Sequence, residues 1–218
     1  IIQKRKISAA ICEEWLGRDK VLSGRQKDAI RQYVRMHTDK PEELYQIYHA
    51  MIRGENYKAE TLEVLMEEGQ PVIKIAGNEI RAAFEQLNDF VQKLILLTER
   101  TLPLGSVVEV DIRELKLETE KPVSSIKAVI VDRFMKKETE KQYVPYCGII
   151  YPFGDSKKQL FFTEQAIHTV IHYGYTDRQE DAYVALIKRE IIKKGYSSYS
   201  FAEAEDDKIR MLQSDINL

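Results

Sequence analysis

Hydrophobic residues recur at helical spacing through the first part of the chain. Ile7, Ile11 and Trp15 stand four residues apart, and Gly17 follows as a stop signal, so a first helix is predicted there. Two further amphipathic helices are predicted from the stripes Ile30, Tyr33, Val34, His37 and Leu44, Ile47, Tyr48, Met51, Ile52.

Residues with capping chemistry mark where these helices begin and end. Ser23 followed by Gln26 has the spacing of a capping box, in which each side chain satisfies an unpaired backbone N–H group. Asp39 is predicted to cap the third helix, with Pro41 in its first turn, and Gly54 is predicted to end it.

The stretch that follows permits more than one interpretation. A short fourth helix is predicted over residues 58–68, and residues 72–76 are predicted to be extended. From there the chain either turns as a hairpin at Gly77 and Asn78 or runs into a helix. We favour the second form, with a long helix over residues 79–99.

This long helix carries a heptad-like seam of Phe84, Leu87, Val91, Leu94 and Thr98. In the simpler interpretation the seam packs against the N-terminal helices of the same chain. In the alternative, part of the seam contacts a helix of a partner, which makes Phe84, Leu87, Val91 and Leu94 candidate partner-binding residues.

The second half of the chain begins with strands. Leu102 precedes Pro103 and marks a boundary, because a residue before proline is disfavoured in a helix. Val108, Val110 and Ile112 then alternate with charged residues, as in a half-buried strand. Further strands are predicted over residues 126–134, 143–151 and 159–162, after a polar excursion at 114–125.

Two helices are predicted after the strands. Thr163 is expected to cap the first, which Gly174 ends. Thr176 and Gln179 have capping-box spacing and are expected to open the second, which Gly195 ends. The inward face of the second helix is predicted to carry Tyr183, Leu186, Ile187 and Ile191.

These elements predict an α+β fold. A helical N-terminal region over residues 1–100 is followed, over residues 101–195, by a small antiparallel β-meander capped by C-terminal helices. Residues 196–218 are predicted to be a polar, acidic tail that is loosely held.

Charge and composition narrow the classes of function. The formal net charge of −2 argues against a general nucleic-acid-binding protein, which carries a marked basic excess. Residues 1–40 contain ten Lys/Arg and five Asp/Glu, a local charge of +5, which leaves −7 for residues 41–218. We interpret the basic opening as solvated helices, with an acidic partner or a membrane surface as the alternative.

The sequence predicts a cytoplasmic protein. Cys12 and Cys147 are far apart and form no Cys-x-x-Cys motif, which favours a reducing compartment. No apolar run approaches the roughly 20 residues that span a bilayer, and no signal peptide is evident, so no membrane insertion is expected. Because the first residue is Ile, the chain is expected to be a truncated or tagged form.

Two groups of residues are candidates for chemistry. Glu164, His168 and His172 would lie on one face of the predicted helix, where two histidines at i and i+4 can share a zinc ion. Thr169 stands where a HExxH site has its glutamate, so we favour ordinary surface or partly buried histidines. Cys147 lies in a strand pattern with no activating neighbour and is predicted to be a core thiol.

Aromatic residues are frequent in the second half. The phenylalanines are expected mainly in the core. Tyr151 and Tyr175 lie beside turns and are expected at a rim or an interface. The candidate partner-binding residues of this half are Tyr151, Phe153 and Tyr175.

Three stretches of this half carry a family resemblance. They are an LPxGSVV strand opening at Leu102 to Val108, a Y-x-G-x-x-YPxG strand and turn at Tyr146 to Gly154, and an FF…GYTD ending at Phe161 to Asp177. With these stretches the region 101–194 resembles an uncharacterised Gram-positive domain family. Members of that family recur in gene clusters for type VII secretion, beside LXG-type antibacterial toxins.

The resemblance implies a non-enzymatic, cytoplasmic accessory protein with no cofactor and no metal. Its expected partner is a secreted LXG-type toxin, for which it would serve as a chaperone or adaptor. The alternative is an immunity protein that binds and neutralises the toxin domain; the acidic charge after residue 40 would suit a basic toxin. A third hypothesis, an enzyme that uses His168 and His172 or Cys147, predicts those groups in a pocket with shifted pKa values.

Overall fold

The computed structural model describes residues 2–111, 124–137, 139 and 141–199. The described chain divides into two compact units. The first comprises the described residues up to Thr101 together with Ala182–Lys193, and the second comprises Leu102–Asp181 together with the described residues from Lys194 onward. The predicted boundary after residue 100 lies one residue from this division, whereas residues 182–193 were expected in the second domain. Of the predicted tail, residues 200–218 lie outside the described part.

Four helices of the first unit form where hydrophobic spacing predicts them or close by: α1 (Ile2–Arg18), α2 (Gly24–Met36), α3 (Glu42–Arg53) and α4 (Phe84–Thr98). The predicted capping box at the start of α2 is confirmed. The Gln26 N–H donates to the Ser23 hydroxyl at 3.3 Å, and the Ser23 N–H donates to the Gln26 side-chain oxygen at 2.7 Å. Gly54 ends α3 in the left-handed region, with φ of 68°.

The predicted cap of α3 is wrong. Pro41 occupies the N-cap position of α3, and no side chain caps this helix. Asp39 instead has a positive φ of 64°, and its backbone N–H donates to the Thr98 carbonyl at 2.7 Å. Asp39 therefore ties the α2–α3 connection to the end of α4, because its backbone completes a long-range hydrogen bond rather than a local cap.

The predicted fourth helix is also wrong. Residues 57–80 form an antiparallel sheet of four strands, β1 (Tyr57–Lys58), β2 (Leu62–Glu67), β3 (Gln70–Ile75) and β4 (Asn78–Ile80), in the order β1-β2-β3-β4. Leu62 and Val64 are buried at alternate positions of β2 and pair with residues of β3. The spacing of apolar residues in this short stretch is compatible with a helix and with a strand. Pairing with β3 selects the strand.

The hairpin interpretation at Gly77 and Asn78 is the correct one. Ile75 pairs with Asn78 across a turn in which Ala76 and Gly77 both have positive φ, 47° and 77°. Such a turn suits a two-residue hairpin, because its twist matches that of the strands. Helix α4 consequently begins at Phe84 rather than near residue 79.

Inside the first unit, the helices cover one sheet. Helices α2 and α4 contact β3, α3 contacts β2, and α1 packs on α2 and α4. The buried side chains of α4 include Leu87, Val91, Leu94 and Thr98, so the seam is part of this core.

The second unit is built on a six-stranded sheet. Its strands are β5 (Val107–Asp111), β6 (Ser125–Lys137), β7 (Gln142–Ile150), β8 (Gln159–Phe162), β9 (Ile167–His172) and β10 (Ser197–Ser198). The order is β10-β7-β6-β5-β9, with β8 also paired to β7. The pairs β5–β6, β6–β7 and β7–β8 are antiparallel, as the predicted meander requires. Ile112 and the polar excursion up to residue 123 lie outside the described residues.

The helix predicted from Thr163 to Gly174 is wrong. A 3-10 turn over Glu164–Ala166 leads directly into β9, which pairs antiparallel with β5. Val170 lies opposite Val108, and Ile167 and Val170 are partly buried against the core of the second unit. The short apolar run is compatible with both structures, and the open edge of β5 selects the strand.

Helix α5 (Arg178–Lys194) starts at a different cap from the predicted one. The Asp177 carboxylate accepts the N–H groups of Gln179 and Glu180, each at 2.9 Å. Ile191 is buried as expected, but Tyr183 and Leu186 are exposed, so the predicted inward face is only partly correct. Gly195 has a positive φ of 69° just after the helix ends.

The architecture confirms the predicted α+β class, with antiparallel sheets and helices at both ends of the described chain. The N-terminal region differs from the prediction because it contains its own sheet. The core of the second unit consists of Leu102, Val108, Val110, Ala128, Ile130, Tyr146, Ile150, Leu160, Phe162 and Ala166.

Gly174→Ala tests the close contact between Gly174 and the backbone of Leu104 and Ser106. A methyl group there would overlap the Leu104 carbonyl and lie 2.9 Å from the Ser106 nitrogen. We expect the free energy of unfolding to fall by about 2–3 kcal/mol, measured by urea denaturation. Gly17→Ala is the matched control: nothing lies within 4 Å of the added atom, so stability should rise by up to about 1 kcal/mol. Equal effects of the two substitutions would contradict this account.

Candidate functional site

Three of the four candidate residues on α4 are core residues. Leu87 is 1% exposed, and Val91 and Leu94 are 0% exposed. The prediction that these three residues contact a partner is wrong, because other residues of the first unit already cover their side chains. Phe84, at the start of α4, is partly exposed. The seam therefore follows the simpler interpretation, in which a helix packs on its own chain.

The turn after β7 presents two aromatic side chains to solvent. Tyr151 is 56% exposed and Phe153 is 81% exposed. The expectation that phenylalanines lie in the core consequently fails at Phe153, whereas Phe162 is buried as expected. Exposure of a whole phenyl ring is unfavourable in water and is typical of a binding surface when it occurs beside other aromatic rings.

Backbone hydrogen bonds hold this turn on both sides of Phe153. The Tyr151 N–H donates to the Lys127 carbonyl at 2.9 Å, and the Gly154 N–H donates to the Ile150 carbonyl at 3.0 Å. Gly154 adopts a positive φ of 67°, which a glycine permits at little cost. The ring of Phe153 is therefore presented from a backbone whose conformation is set before any partner arrives.

Tyr175 is presented in the same manner from the loop between β9 and α5. It is 82% exposed. On one side of it, the Gly174 N–H donates to the Ser106 hydroxyl at 3.0 Å, and this hydroxyl donates to the Pro103 carbonyl at 2.7 Å. On the other side, Asp177 caps α5. Both neighbours of Tyr175 are thus fixed while its ring projects into solvent.

A buried ion pair fixes the start of α5 within the second unit. The Arg133 guanidinium is buried and binds the Glu180 carboxylate with both terminal nitrogens, Nη1 to Oε1 and Nη2 to Oε2, the latter at 3.0 Å. Nη1 also donates to the Leu102 carbonyl at 3.1 Å. A buried charge needs such partners, because leaving it unpaired costs several kcal/mol.

The two aromatic turns follow different strands, β7 and β9, which β6 and β5 separate in the sheet. The Tyr151 turn leaves β7 beside Lys127 of β6, which pairs with Glu109 in the middle of β5. His172, which precedes the Tyr175 loop, pairs with Val107 at the start of β5. Tyr151 and Phe153 therefore lie on one turn and Tyr175 on another, and the strands that lead into these turns are separated by two others.

Sequence reasoning missed some exposed apolar residues beside Tyr175. Leu104 and Ile171 are exposed, and the Leu104 carbonyl lies against Gly174. Leu104 belongs to the LPLGS stretch, whose leucines look equivalent in sequence. Leu102 is buried in the core while Leu104 projects outward, a difference that alternation along an extended segment would have indicated.

The candidate metal face does not form. His168 and His172 lie in β9, and both side chains are exposed. Four residues along a strand separate them by about 13 Å, too far for one ion. Glu164 belongs to the preceding 3-10 turn. Within the residues that the structure describes, no three His, Cys, Asp or Glu side chains cluster so that they could hold a metal ion.

Both thiols are buried, and burial disfavours their ionised form. Burial raises the pKa of Cys147 to about 11, with the Asp132 carboxylate adding to the effect. Burial likewise raises the pKa of Cys12 to about 12, with a smaller contribution from Glu13. A nucleophilic cysteine needs a lowered pKa, so the environment of Cys147 opposes the thiolate that covalent catalysis would use.

Comparison with known proteins adds one finding. Residues 101–183 match the model of a family described as a domain of unknown function, DUF4176. The matched stretch starts within one residue of the second unit and contains both aromatic turns. No curated protein matches the chain, and no solved structure matches it. No helix within the described ranges is long and apolar enough to cross a membrane.

The raised thiol pKa values predict slow labelling of the native protein. At pH 8 about one Cys147 thiol in a thousand would be ionised at a pKa of about 11, so Ellman's reagent should label neither cysteine within minutes. Unfolding in urea returns both pKa values to their ordinary range and should release two reactive thiols. Rapid labelling of either thiol before unfolding would contradict the burial described above.

Proposed function

We propose that this chain is a non-enzymatic accessory protein that binds a partner protein through the exposed aromatic turns of its second unit. The observation that carries the proposal is the exposure of Phe153 and Tyr175, 81% and 82%, on turns whose backbones are held by hydrogen bonds. The proposed partner is a secreted LXG-type toxin, and the proposed role is that of a cytoplasmic chaperone or adaptor for type VII secretion.

Ordering the loops of an interface costs free energy, and turns that are already restricted lower this cost. An aromatic ring removed from water contributes about 2 kcal/mol or more when it fills a pocket of a partner. Flexible loops lose part of this gain, because their conformations must be restricted on binding. Here Gly154 and Gly174 already take part in the hydrogen bonds that restrict the two turns. Phe153 and Tyr175 are therefore suited to act as preorganised anchors.

The identity of the partner rests on the family resemblance. The three stretches that carry the resemblance all lie within residues 101–183, the part that matches the domain of unknown function. Several residues of these stretches have evident structural roles, such as Ser106 with Gly174 and Tyr146 with Leu102. Tyr175 belongs to the same stretches but projects into solvent, which supports a role in binding.

An immunity protein is the second candidate function, and charge is the observation that favours it. Residues 41–218 carry a formal charge of −7. A basic toxin domain would be attracted by this negative charge, and electrostatic complementarity would speed the association of the two proteins. An immunity protein protects cells that express the toxin domain alone, whereas an export chaperone increases toxin secretion and requires the part of the toxin that is exported.

The double substitution Phe153→Ser with Tyr175→Ser tests the binding proposal. The chain is co-expressed with an LXG-type toxin, and complexes are isolated by affinity capture and size-exclusion chromatography. We expect the unchanged chain to form a stoichiometric complex. The double variant should lose at least about 3 kcal/mol of binding free energy, more than a hundredfold in Kd.

Met36→Ser is the matched control, because Met36 is also an exposed apolar side chain but lies at the end of α2 in the first unit. It should leave the complex intact, and circular dichroism should show that all variants remain folded. Absence of a complex with the unchanged chain would refute the toxin as partner. A complex that survives the double substitution would instead refute the aromatic turns as its interface.

A further inference from the structure

Trp15 lies between two cavities of the first unit. One, of about 270 Å³, is bordered by α1 and the C-terminal part of α5; the other, of about 290 Å³, is bordered by the α1–α2 connection, the residues after β4, and α4. Trp15 and Asp19 line both cavities, so the two are adjacent. We call these two adjacent cavities together the Trp15 groove.

The floor of the Trp15 groove is apolar. It is formed by Ile11, Trp15, Leu22, Ile80, Leu87, Phe90 and Ile192. The Trp15 and Phe90 rings lie 5.6 Å apart between centroids with a 43° tilt. Val21, at the rim, is 82% exposed. This floor suits the apolar side chains of a bound segment, because each of them would leave water on binding.

The rim of the groove has a positive balance. The lining contains five cationic side chains, Arg18, Arg81, Lys93, Arg189 and Lys193, and three carboxylates, Glu14, Asp19 and Asp89. The formal charge of the lining is therefore +2.

Three of the five cations already have acidic neighbours. Arg81 pairs with Glu67 and Glu79, Lys93 pairs with Asp89, and Arg189 pairs with Glu14 at 2.9 Å. These pairs neutralise the cations locally, so they contribute little attraction for a further carboxylate.

The two remaining cations stand beside the same cavity. Within the described residues, neither Arg18 nor Lys193 forms an ion pair, and both are exposed. The neighbouring Asp19 carboxylate does not compensate them by an ion pair, since it accepts the N–H groups of Val21 and Leu22 at 2.9 and 2.7 Å. The α1–α5 side of the groove thus combines an apolar floor with a formal charge of +1, from three cations and two carboxylates.

We propose that the Trp15 groove binds an acidic amphipathic segment of a partner protein. Its apolar side chains cover Trp15 and Ile192, and its carboxylates face Arg18 and Lys193. Charge complementarity selects this occupant: a basic segment would meet the same two cations and be repelled. The lining residues from Ile11 to Arg18 span about two turns of α1, so a helical segment of at least two turns would cover them.

The chain contains a single tryptophan, and this residue is Trp15, so intrinsic fluorescence reports directly on the groove. The probe is a synthetic 14-residue helical peptide with a leucine stripe flanked by glutamates and without Trp or Tyr. The full chain is titrated with it at low ionic strength. We expect a saturable shift of the Trp15 emission. A matched peptide with lysines in place of the glutamates should bind at least about tenfold more weakly.

Arg18→Glu with Lys193→Glu tests the two cations without touching the apolar floor. We expect this double variant to bind the acidic peptide about tenfold more weakly and the salt dependence of binding to reverse, because the formal charge of the lining falls from +2 to −2. The matched control is Arg25→Glu with Lys40→Glu, which makes the same change in net charge at two exposed cations that do not line the groove. Its affinity should remain within about twofold of the unchanged chain.

Three results would overturn the proposal. They are an emission that does not change with the acidic peptide, equal affinity for the acidic and the basic peptide, and an equal loss in the two double variants. The last result would mean that affinity follows net charge rather than the groove.

Discussion

The second unit depends on keeping one buried cation satisfied. Arg133 lies in β6 with its side chain out of water, and a guanidinium in such a place costs several kcal/mol unless its donors are paired. Its partners are the Glu180 carboxylate at the start of α5 and the carbonyl of Leu102 at the start of the unit. Segments nearly eighty residues apart in sequence are therefore held to one strand.

Hydrogen bonds in the same region account for the positions of the Tyr146 and Ser106 hydroxyl groups. The Tyr146 hydroxyl accepts the Leu102 N–H at 3.0 Å, and Ser106 connects Pro103 to Gly174. Each bond involves a backbone group of the segment that opens the unit or of the loop before α5. The aromatic ring of Tyr175 is exposed because its neighbours are held in this network, and removal of that ring leaves the network itself unchanged.

The two proposed surfaces differ in chemistry. The aromatic turns of the second unit offer large rings on restricted backbones, which is the character of interface anchors. The Trp15 groove of the first unit offers an apolar depression with positive charges at its rim, which favours an acidic helix. Two binding surfaces on one chain reinforce each other when they engage the same partner, because two linked contacts raise the effective concentration of each.

Local chemistry along the chain determined several helix ends and one strand of this protein. The Ser23 capping box, the Gly54 and Gly195 helix ends and the alternation of Val108 with Val110 follow from rules that act over a few residues. The exposure of Tyr151 and Tyr175 beside turns was predictable for the same reason. Tertiary structure alone decided the state of residues 62–67 and 167–172, because a short apolar run becomes a strand only when another strand offers its edge. It also decided that Leu87 is buried while Phe153 is not: hydrophobicity is a property of the residue, but the surface that covers it belongs to the rest of the chain.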